Sequence, residues 1–177
     1  MNLVRPNYLE VIDDLDLNIV LKTINHTLIG TPPLMIDVAN SDIDIACYAQ
    51  SPKKLYGHFS KHYGSSKNYR AHFLDSSPCI TLIISFEFSD WEIEFFIQNQ
   101  PLHKQNGVRH FNIEKRLLAI LGEPFKKAVI ALKNQNIKTE PAFAHLLNIK
   151  GDPYVNLLKL ENLSDQQLSM LYQSHLN

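Results

Sequence analysis

Carboxylates recur at alternate positions in two short segments of the sequence. Asp42 and Asp44 are separated by an isoleucine in the first segment, and Glu92 and Glu94 by an isoleucine in the second. Residues i and i+2 of a β-strand point to the same face, so each pair of acids would project together. Crowded carboxylates repel one another, and neither segment contains Lys or Arg. Because Mg²⁺ and Mn²⁺ prefer oxygen ligands, two such strands side by side would form a site for one of these ions.

The same spacing has a simpler interpretation. In a sheet that buries only one face, alternate acids form the hydrated face and bind nothing. Asp14 and Asp16 show the same local pattern in a stretch that predicts a helix. There, residues i and i+2 lie about 200° apart and cannot share a metal ion. The spacing leaves both interpretations open, so the surrounding elements must decide between them.

The elements around the first acidic segment follow from hydrophobic periodicity. Apolar residues at steps of three and four predict an amphipathic helix over about residues 7–28, which Gly30 ends. Strands are predicted at Leu34–Val38 and Asp42–Tyr48, joined by a hairpin turn at residues 39–41. This arrangement places the first acidic pair at the start of a strand.

The rest of the chain predicts an α+β fold, with a mixed or antiparallel sheet, flanking helices and a helical C-terminal part. The predicted elements are a helix over residues 52–63, strands over 69–74, 79–88 and 91–98 with a tight turn at 89–90, and helices over 113–132, 141–147, 152–160 and 165–175. A single domain over residues 1–177 is expected. In it, residues 1–100 form the sheet core and residues 101–177 form a helical part packed on that core.

Composition narrows the class of protein. The chain of 177 residues is 45% hydrophobic, which excludes a disordered tail. Its longest apolar run, Cys79–Phe86, is far shorter than the roughly 18–20 residues that cross a bilayer, so no membrane association is expected. The two cysteines form no disulfide framework, which indicates a cytoplasmic location.

Charge is unevenly distributed along the chain. Residues 1–50 contain 2 basic and 7 acidic side chains, whereas residues 101–150 contain 9 basic and 3 acidic ones. This asymmetry is compatible with a cation site facing an anion-binding surface. The alternative is that the lysines of the basic segment only hydrate helix faces.

The context of the first acidic pair carries a resemblance. Ile29, Gly30 and Thr31 follow a predicted helix, and a spacer of ten residues separates Thr31 from Asp42. This part of the chain closely resembles the signature of the DNA polymerase β-like nucleotidyltransferase superfamily. That signature consists of an apolar residue, Gly, a position for Gly or Ser, a spacer of about this length, and Asp-apolar-Asp. Thr31 departs from the pattern, because Gly or Ser is usual there; it keeps the hydroxyl and adds a methyl group.

More of the chain resembles one bacterial branch of that superfamily, a domain of unknown function. The segments that carry this resemblance are Ile29–Pro32, Ser41–Ile45, Glu94–Gln98, Gln105–His110, Lys138–Ala144 and Gly151–Tyr154. Together they span most of the chain. The resemblance therefore implies a nucleotidyltransferase-like fold.

The resemblance also implies a metal-dependent transfer of a nucleoside monophosphate from an NTP to a hydroxyl of a small molecule, a protein or an RNA. Asp42 and Asp44 would bind Mg²⁺ (or Mn²⁺) that bridges the triphosphate. A third carboxylate from a later strand would complete a second metal site and activate the acceptor hydroxyl. Glu94 is the first choice for this role, and Glu92 is the second.

Residues for the nucleotide are implied in the same way. The backbone amides of Gly30 and Thr31 and the Thr31 hydroxyl would hold the β and γ phosphates. Ser41 would brace the acidic strand or touch a phosphate, and Lys138 would approach the triphosphate. For Lys138, an ion pair with an acid such as Glu140 is the alternative.

Other interpretations stay open at this stage. The chain could be a non-catalytic member of the fold that binds or regulates a partner, or a metal-dependent phosphohydrolase that uses water as the acceptor. Arg109 and His110 could face the active cleft and bind the base or the acceptor, or could form hydrogen bonds at the start of a helix. The sequence does not predict the oligomeric state.

Overall fold

The chain divides into two compact units, one built on a β-sheet and one made of helices. The structure, a computed structural model, describes residues 5–76 and 79–176. The sheet unit runs up to Pro33 and resumes over Ser41–Gln105, and the helical unit combines Leu34–Asn40 with the chain from Asn106 onward. A short segment from the first quarter of the chain thus belongs to the helical unit. That residues 1–177 fold as a single domain stays a prediction.

The sheet unit contains a mixed sheet of five strands, which confirms the predicted α+β class. Its elements are α1 (Tyr8–Asp14), α2 (Leu17–Val20), β1 (Asn25–Ile29), β2 (Ile43–Tyr48), α3 (Pro52–Tyr63), β3 (Lys67–Ser76), β4 (Cys79–Phe88) and β5 (Trp91–Gln98), with a short 3-10 turn at Leu102–Lys104. The strand order is β1-β2-β5-β4-β3. β2 and β5 are parallel, and the other three pairs are antiparallel.

The hydrophobic core of the sheet unit lies on one face of the sheet. Alternate residues of the adjacent strands β2 and β5, such as Ile45 and Phe95, are fully buried and pack with the apolar side chains of α1 and α3. Phe59 of α3 stacks edge-on against Phe95, with ring centroids 5.0 Å apart. Because side chains alternate along a strand, the residues between these apolar ones point to the opposite face. The acids of β2 and β5 are among them.

The hairpin between β4 and β5 forms as the sequence predicts. Ser89 and Asp90 both have positive φ angles, 47° and 61°, which is the backbone of a two-residue turn that matches the twist of the strands. The turn pairs Phe88 directly with Trp91. It thereby fixes the register that positions Glu94 on β5.

The predicted elements before the first acidic pair are partly wrong. The helix over residues 7–28 ends early, because Asp16 has a left-handed backbone (φ 53°) between α1 and α2. Residues 25–29 form strand β1, whose backbone groups are satisfied by pairing with β2, and this tertiary contact overrides the helical periodicity. The predicted strand Leu34–Val38 and its hairpin are absent, since Pro32–Leu34 forms a 3-10 turn and Met35 has φ 56°.

The helical unit contains a long kinked helix followed by shorter helices. Its elements are α4 (Asn106–Lys133), α5 (Thr139–Leu146), α6 (Pro153–Asn156), a 3-10 segment (Leu157–Asn162) and α7 (Asp165–Leu176). Gly122, with φ 72°, bends α4 just before Pro124. In the hydrophobic core of the helical unit, Leu34 and Ile36 pack with side chains of α4 and α5 such as Phe125 and Phe143. Within residues 5–76 and 79–176, no helix has both the length and the hydropathy needed to cross a membrane.

Candidate active site: three carboxylates beside a glycine turn

Asp44 and Glu94 lie side by side on the adjacent strands β2 and β5. They are register partners in the parallel pairing of β2 with β5, and Asp42 lies immediately before β2. One carboxylate oxygen from each of the three residues lies within 4.8 Å of the others, and all three side chains are half-buried. The structure therefore brings together the three acids that the sequence selected as metal ligands.

The donor set fits the ion that was expected. Three carboxylates supply oxygen ligands only, which Mg²⁺ and Mn²⁺ prefer over softer metals. Two of the three acids are direct cross-strand neighbours, and like charges in that position destabilise a sheet. A divalent cation would relieve this repulsion. Metal binding by these residues stays a prediction.

Glu92 is engaged elsewhere on the same face of the sheet. Its carboxylate accepts a hydrogen bond from Arg70 on β3 at 2.8 Å, and both side chains are exposed. Glu92 therefore lies outside the three-carboxylate cluster. Geometry thus favours Glu94 over Glu92 as the third acid.

The turn after β1 packs directly on the Asp44 carboxylate. Ile29, the last residue of β1, is the register partner of Asp44, so Gly30 follows at the level of that side chain. Gly30 has φ +76°, and a Cβ atom added there would overlap the Asp44 carboxylate oxygen and lie 3.2 Å from its Cγ. Only glycine combines this backbone with this close approach.

The hydroxyls of Thr31 and Ser41 are bonded to each other. Thr31 Oγ1 donates to Ser41 Oγ at 3.1 Å, and both residues are buried. The Ser41 carbonyl also accepts a hydrogen bond from Arg5 Nη1 at 2.7 Å. These bonds hold the turn at Gly30 and Thr31 next to the residues that immediately precede β2. Phosphate binding by Gly30, Thr31 and Ser41 stays a prediction.

The basic candidates lie in the helical unit. Lys138 is an exposed residue at the N-cap of α5, and its contact with a triphosphate stays a prediction. Arg109 donates to both carboxylate oxygens of Glu161 and to Asn106 Oδ1. These bonds favour the helix-start interpretation for Arg109. His110 is buried on α4.

Two supporting residues escaped the sequence analysis. Ser85 of β4 is buried and is the register partner of Glu94, so it extends the row formed by Asp44 and Glu94. Gln105, only 1% exposed, donates to the carbonyls of Cys47 and Gln100 and thereby fixes the end of β2. The available signal for Ser85 was a hydroxyl within the apolar run of β4. Gln105 begins one of the segments that carry the family resemblance, but its hydrogen bonds to the backbone carbonyls were not predicted.

Comparison with known proteins identifies the family. The profile of the domain of unknown function DUF4269 matches residues 10–160, which is most of the chain. The chain belongs to the DUF4269 family. A comparison with curated proteins found no match. The family assignment agrees with the expected domain of unknown function.

Solved structures similar to this DUF4269 chain are nucleotidyltransferases, which confirms the nucleotidyltransferase-like fold. The Cid1 poly(U) polymerase with MgGTP bound has a TM-score of 0.56 and 12% identity, over 80% of this chain and 47% of that one. GLD-2, from the structure of the GLD-2/RNP-8 complex, has a TM-score of 0.54 and 11% identity, over 93% and 73%. A cytoplasmic RNA terminal U-transferase has a TM-score of 0.50 and 13% identity, over 81% and 40%. This chain thus spans about half the length of the Cid1 protein.

Proposed function

We propose that this DUF4269 chain is a metal-dependent nucleotidyltransferase, which transfers a nucleoside monophosphate from an NTP to a hydroxyl acceptor. The observation that carries the proposal is the convergence of Asp42, Asp44 and Glu94 within 4.8 Å, from two adjacent strands. The similarity to nucleotidyltransferase structures supports the fold in which such a reaction occurs.

Each acid has a distinct part in the proposed reaction. Asp42 and Asp44 would hold Mg²⁺, which would supply positive charge to the attacking and leaving oxygens of the displacement. Glu94 accepts the proton of the acceptor hydroxyl. The acceptor oxygen then bonds to the α-phosphorus, the bond from that phosphorus to the bridging oxygen breaks, and pyrophosphate leaves.

The glycine turn would hold the remaining phosphates. Backbone N–H groups at Gly30 and Thr31 are proposed to bind the β and γ phosphates, since successive amides in a turn form an anion-binding concavity. The Thr31–Ser41 hydrogen bond, at 3.1 Å, keeps this turn in place beside Asp44. Positioning of the reacting groups is the main contribution that such a rigid turn makes to the rate.

The substrate class is the least specific part of the proposal. The similar Cid1 poly(U) polymerase has MgGTP bound, so an NTP is the proposed donor here. The acceptor is proposed to be a hydroxyl of a small molecule, a protein or an RNA. Because this chain spans about half of the Cid1 protein, an RNA acceptor does not follow from the similarity alone.

The proposal is tested by measuring nucleotide binding and product formation. The full chain is titrated with a non-hydrolysable analogue of each NTP in the presence of Mg²⁺. Asp42→Asn and Glu94→Gln should weaken binding at least tenfold, which is about 1.4 kcal/mol, whereas Glu92→Gln should leave it unchanged. If Asp42→Asn and Glu94→Gln bind the nucleotide as tightly as Glu92→Gln does, the proposal is wrong.

Products separate the proposed reaction from its alternatives. A transferred nucleotide with release of pyrophosphate supports nucleotidyl transfer. Free phosphate with no transferred nucleotide indicates a phosphohydrolase that uses the same patch. Nucleotide binding that is unaffected by Mg²⁺, without any turnover, indicates a non-catalytic member of the fold.

A further inference from the structure

A second cluster of metal-binding residue types lies inside the helical unit. His110 and Glu114 are one turn apart on α4, and Glu140 lies in the first turn of α5. One ring nitrogen of His110 and one carboxylate oxygen of each glutamate all lie within 4.8 Å of one another. Side chains at positions i and i+4 share one face of a helix, so α4 presents two ligands together and α5 supplies the third.

The imidazole of His110 is buried with an unsatisfied nitrogen. The residue is only 7% exposed, and its Nδ1 atom has no hydrogen-bond partner in the part of the chain that the structure describes. The ring of Tyr154 packs edge-on against the imidazole, with centroids 6.5 Å apart, and offers no acceptor to Nδ1. Buried polar atoms in native proteins are nearly always paired, so the free Nδ1 indicates that a partner outside the polypeptide completes this cluster.

The carboxylates of the cluster are also held in an unfavourable environment. Glu114 is only 4% exposed and Glu140 is half-buried, so an ionised carboxylate at either position loses much of its hydration. Lys133 is the cation that faces Glu114, and its ammonium group also donates to Thr139 Oγ1 at 3.0 Å. One lysine balances one of the two glutamates. With both glutamates ionised, the group keeps a net negative charge that a divalent cation would offset.

We propose that His110, Glu114 and Glu140 bind one divalent transition-metal ion, for which Zn²⁺ is the best match. Zinc uses imidazole nitrogen and carboxylate oxygen ligands, and sites with three protein ligands keep one position for water. This donor set differs from the all-carboxylate set of the sheet unit, which suits Mg²⁺ or Mn²⁺. The ion ties α4 to α5 and stabilises the helical unit independently of the proposed nucleotidyl transfer.

The experiment measures zinc binding with the sheet-unit cluster disabled. The full chain without an affinity tag carries Asp44→Asn, is stripped with a chelator, and is dialysed against ZnCl₂ alone. One Zn²⁺ per chain is expected. Glu114→Gln and Glu140→Gln, made in the same background, should each weaken binding at least tenfold. Glu123→Gln, an exposed acid on the same helix, is the matched control and should bind as the parent does.

A spectroscopic measurement separates ligand loss from misfolding. Co²⁺ bound in place of Zn²⁺ gives a visible absorption band that depends on the imidazole ligand. The band should change in His110→Ala and persist in His145→Ala, whose side chain is exposed on α5. Glu140 is only half-buried, so Glu140→Gln keeps the test informative if Glu114→Gln does not fold. No stoichiometric zinc in the Asp44→Asn chain, or undiminished zinc affinity in folded Glu114→Gln and Glu140→Gln, would overturn the proposal.

Discussion

Gly30 and Asp44 are in such close contact that a single added methyl group would overlap the carboxylate. The contact joins the turn after β1 to the strand that carries the acids, and both are needed for the proposed phosphate and metal binding. Because the turn has φ +76°, the backbone at Gly30 and the position of the Asp44 side chain are fixed together. A change at one of them is therefore transmitted directly to the other.

Gly30→Ala should destabilise the fold and displace the Asp44 carboxylate. The left-handed backbone alone costs a non-glycine residue about 1–3 kcal/mol, and the overlap with Asp44 adds to this cost. Urea denaturation of the metal-free chain measures the loss. Gly57→Ala is the control, because Gly57 lies on α3 with nothing within 4 Å of an added Cβ. It should raise stability by about 0.5–1 kcal/mol, and equal effects at both positions would contradict the proposed strain.

Mg²⁺ should raise the melting temperature of the chain through the three-carboxylate cluster. An ion that binds only the folded state stabilises it by about 2.7 kcal/mol at one hundred times its dissociation constant. Asp44→Asn should abolish this dependence, since it removes one of the three charged ligands. Glu92→Gln should retain it, because Glu92 pairs with Arg70 outside the cluster. Scanning calorimetry at increasing MgCl₂ measures both, and a Mg²⁺ response that survives Asp44→Asn would place the ion elsewhere.

Ile36 should be essential for the stability of the helical unit, although it lies 70 positions before Asn106, where the rest of that unit begins. It is completely buried in the core that contains Phe125 and Phe143. Ile36→Ala should lower the free energy of unfolding by about 2–5 kcal/mol, because it leaves a cavity in that core. Ile19→Ala is the control, since Ile19 is 65% exposed, and its effect should stay within about 0.5 kcal/mol. Chemical denaturation measures both variants. If Ile36→Ala lowers the free energy of unfolding no more than Ile19→Ala does, Ile36 is not a core residue.

The two cysteines should react very differently with thiol reagents. Burial raises the pKa of Cys47 to about 12, so at pH 8 about one molecule in ten thousand carries the reactive thiolate. Cys79 is only half-buried. One thiol per chain should therefore react with Ellman's reagent in the native protein and two in denaturant. Cys79→Ser should leave no fast-reacting thiol, and a fast reaction in that variant would contradict the burial of Cys47.

The same shift predicts how stability depends on alkaline pH. The unfolded chain ionises Cys47 near its ordinary value of 9.0, whereas the folded chain does so at about 12. The folded state thus binds the proton more tightly, and its stability falls as the pH rises from about 9 toward about 12. Cys47→Ala should reduce this fall, as measured by urea denaturation at several pH values. A fall of equal size in that variant would assign the effect to other groups.

The two aspartates were predictable because strict alternation along a strand places Asp42 and Asp44 on one face. Glu94 was selected through the family resemblance, because its position beside Asp44 depends on the non-local pairing of β2 with β5. The position of β1 was not predictable in this way. Its apolar residues continue a helical period, and only the pairing of its backbone with β2 makes it a strand.

The cluster of the helical unit shows the same limit more clearly. His110 and Glu114 are four positions apart and could have been noticed as one helix face. Glu140 comes from the next helix, and its approach depends on how α4 and α5 pack. Burial of a polar group is a tertiary property as well. The unsatisfied Nδ1 of His110 therefore has no signature in the sequence.

The parallel pairing of β2 with β5 has a consequence for how the protein is made. Asp44 and Glu94 are about fifty positions apart in the chain, and parallel neighbours cannot be joined by a tight hairpin. The chain must therefore be synthesised as far as β5, which ends at Gln98, before the two acids can meet. Non-local pairing of this kind closes slowly, and here it also brings like charges into contact. A divalent ion held by these acids should therefore favour the chain in which β2 and β5 are already paired.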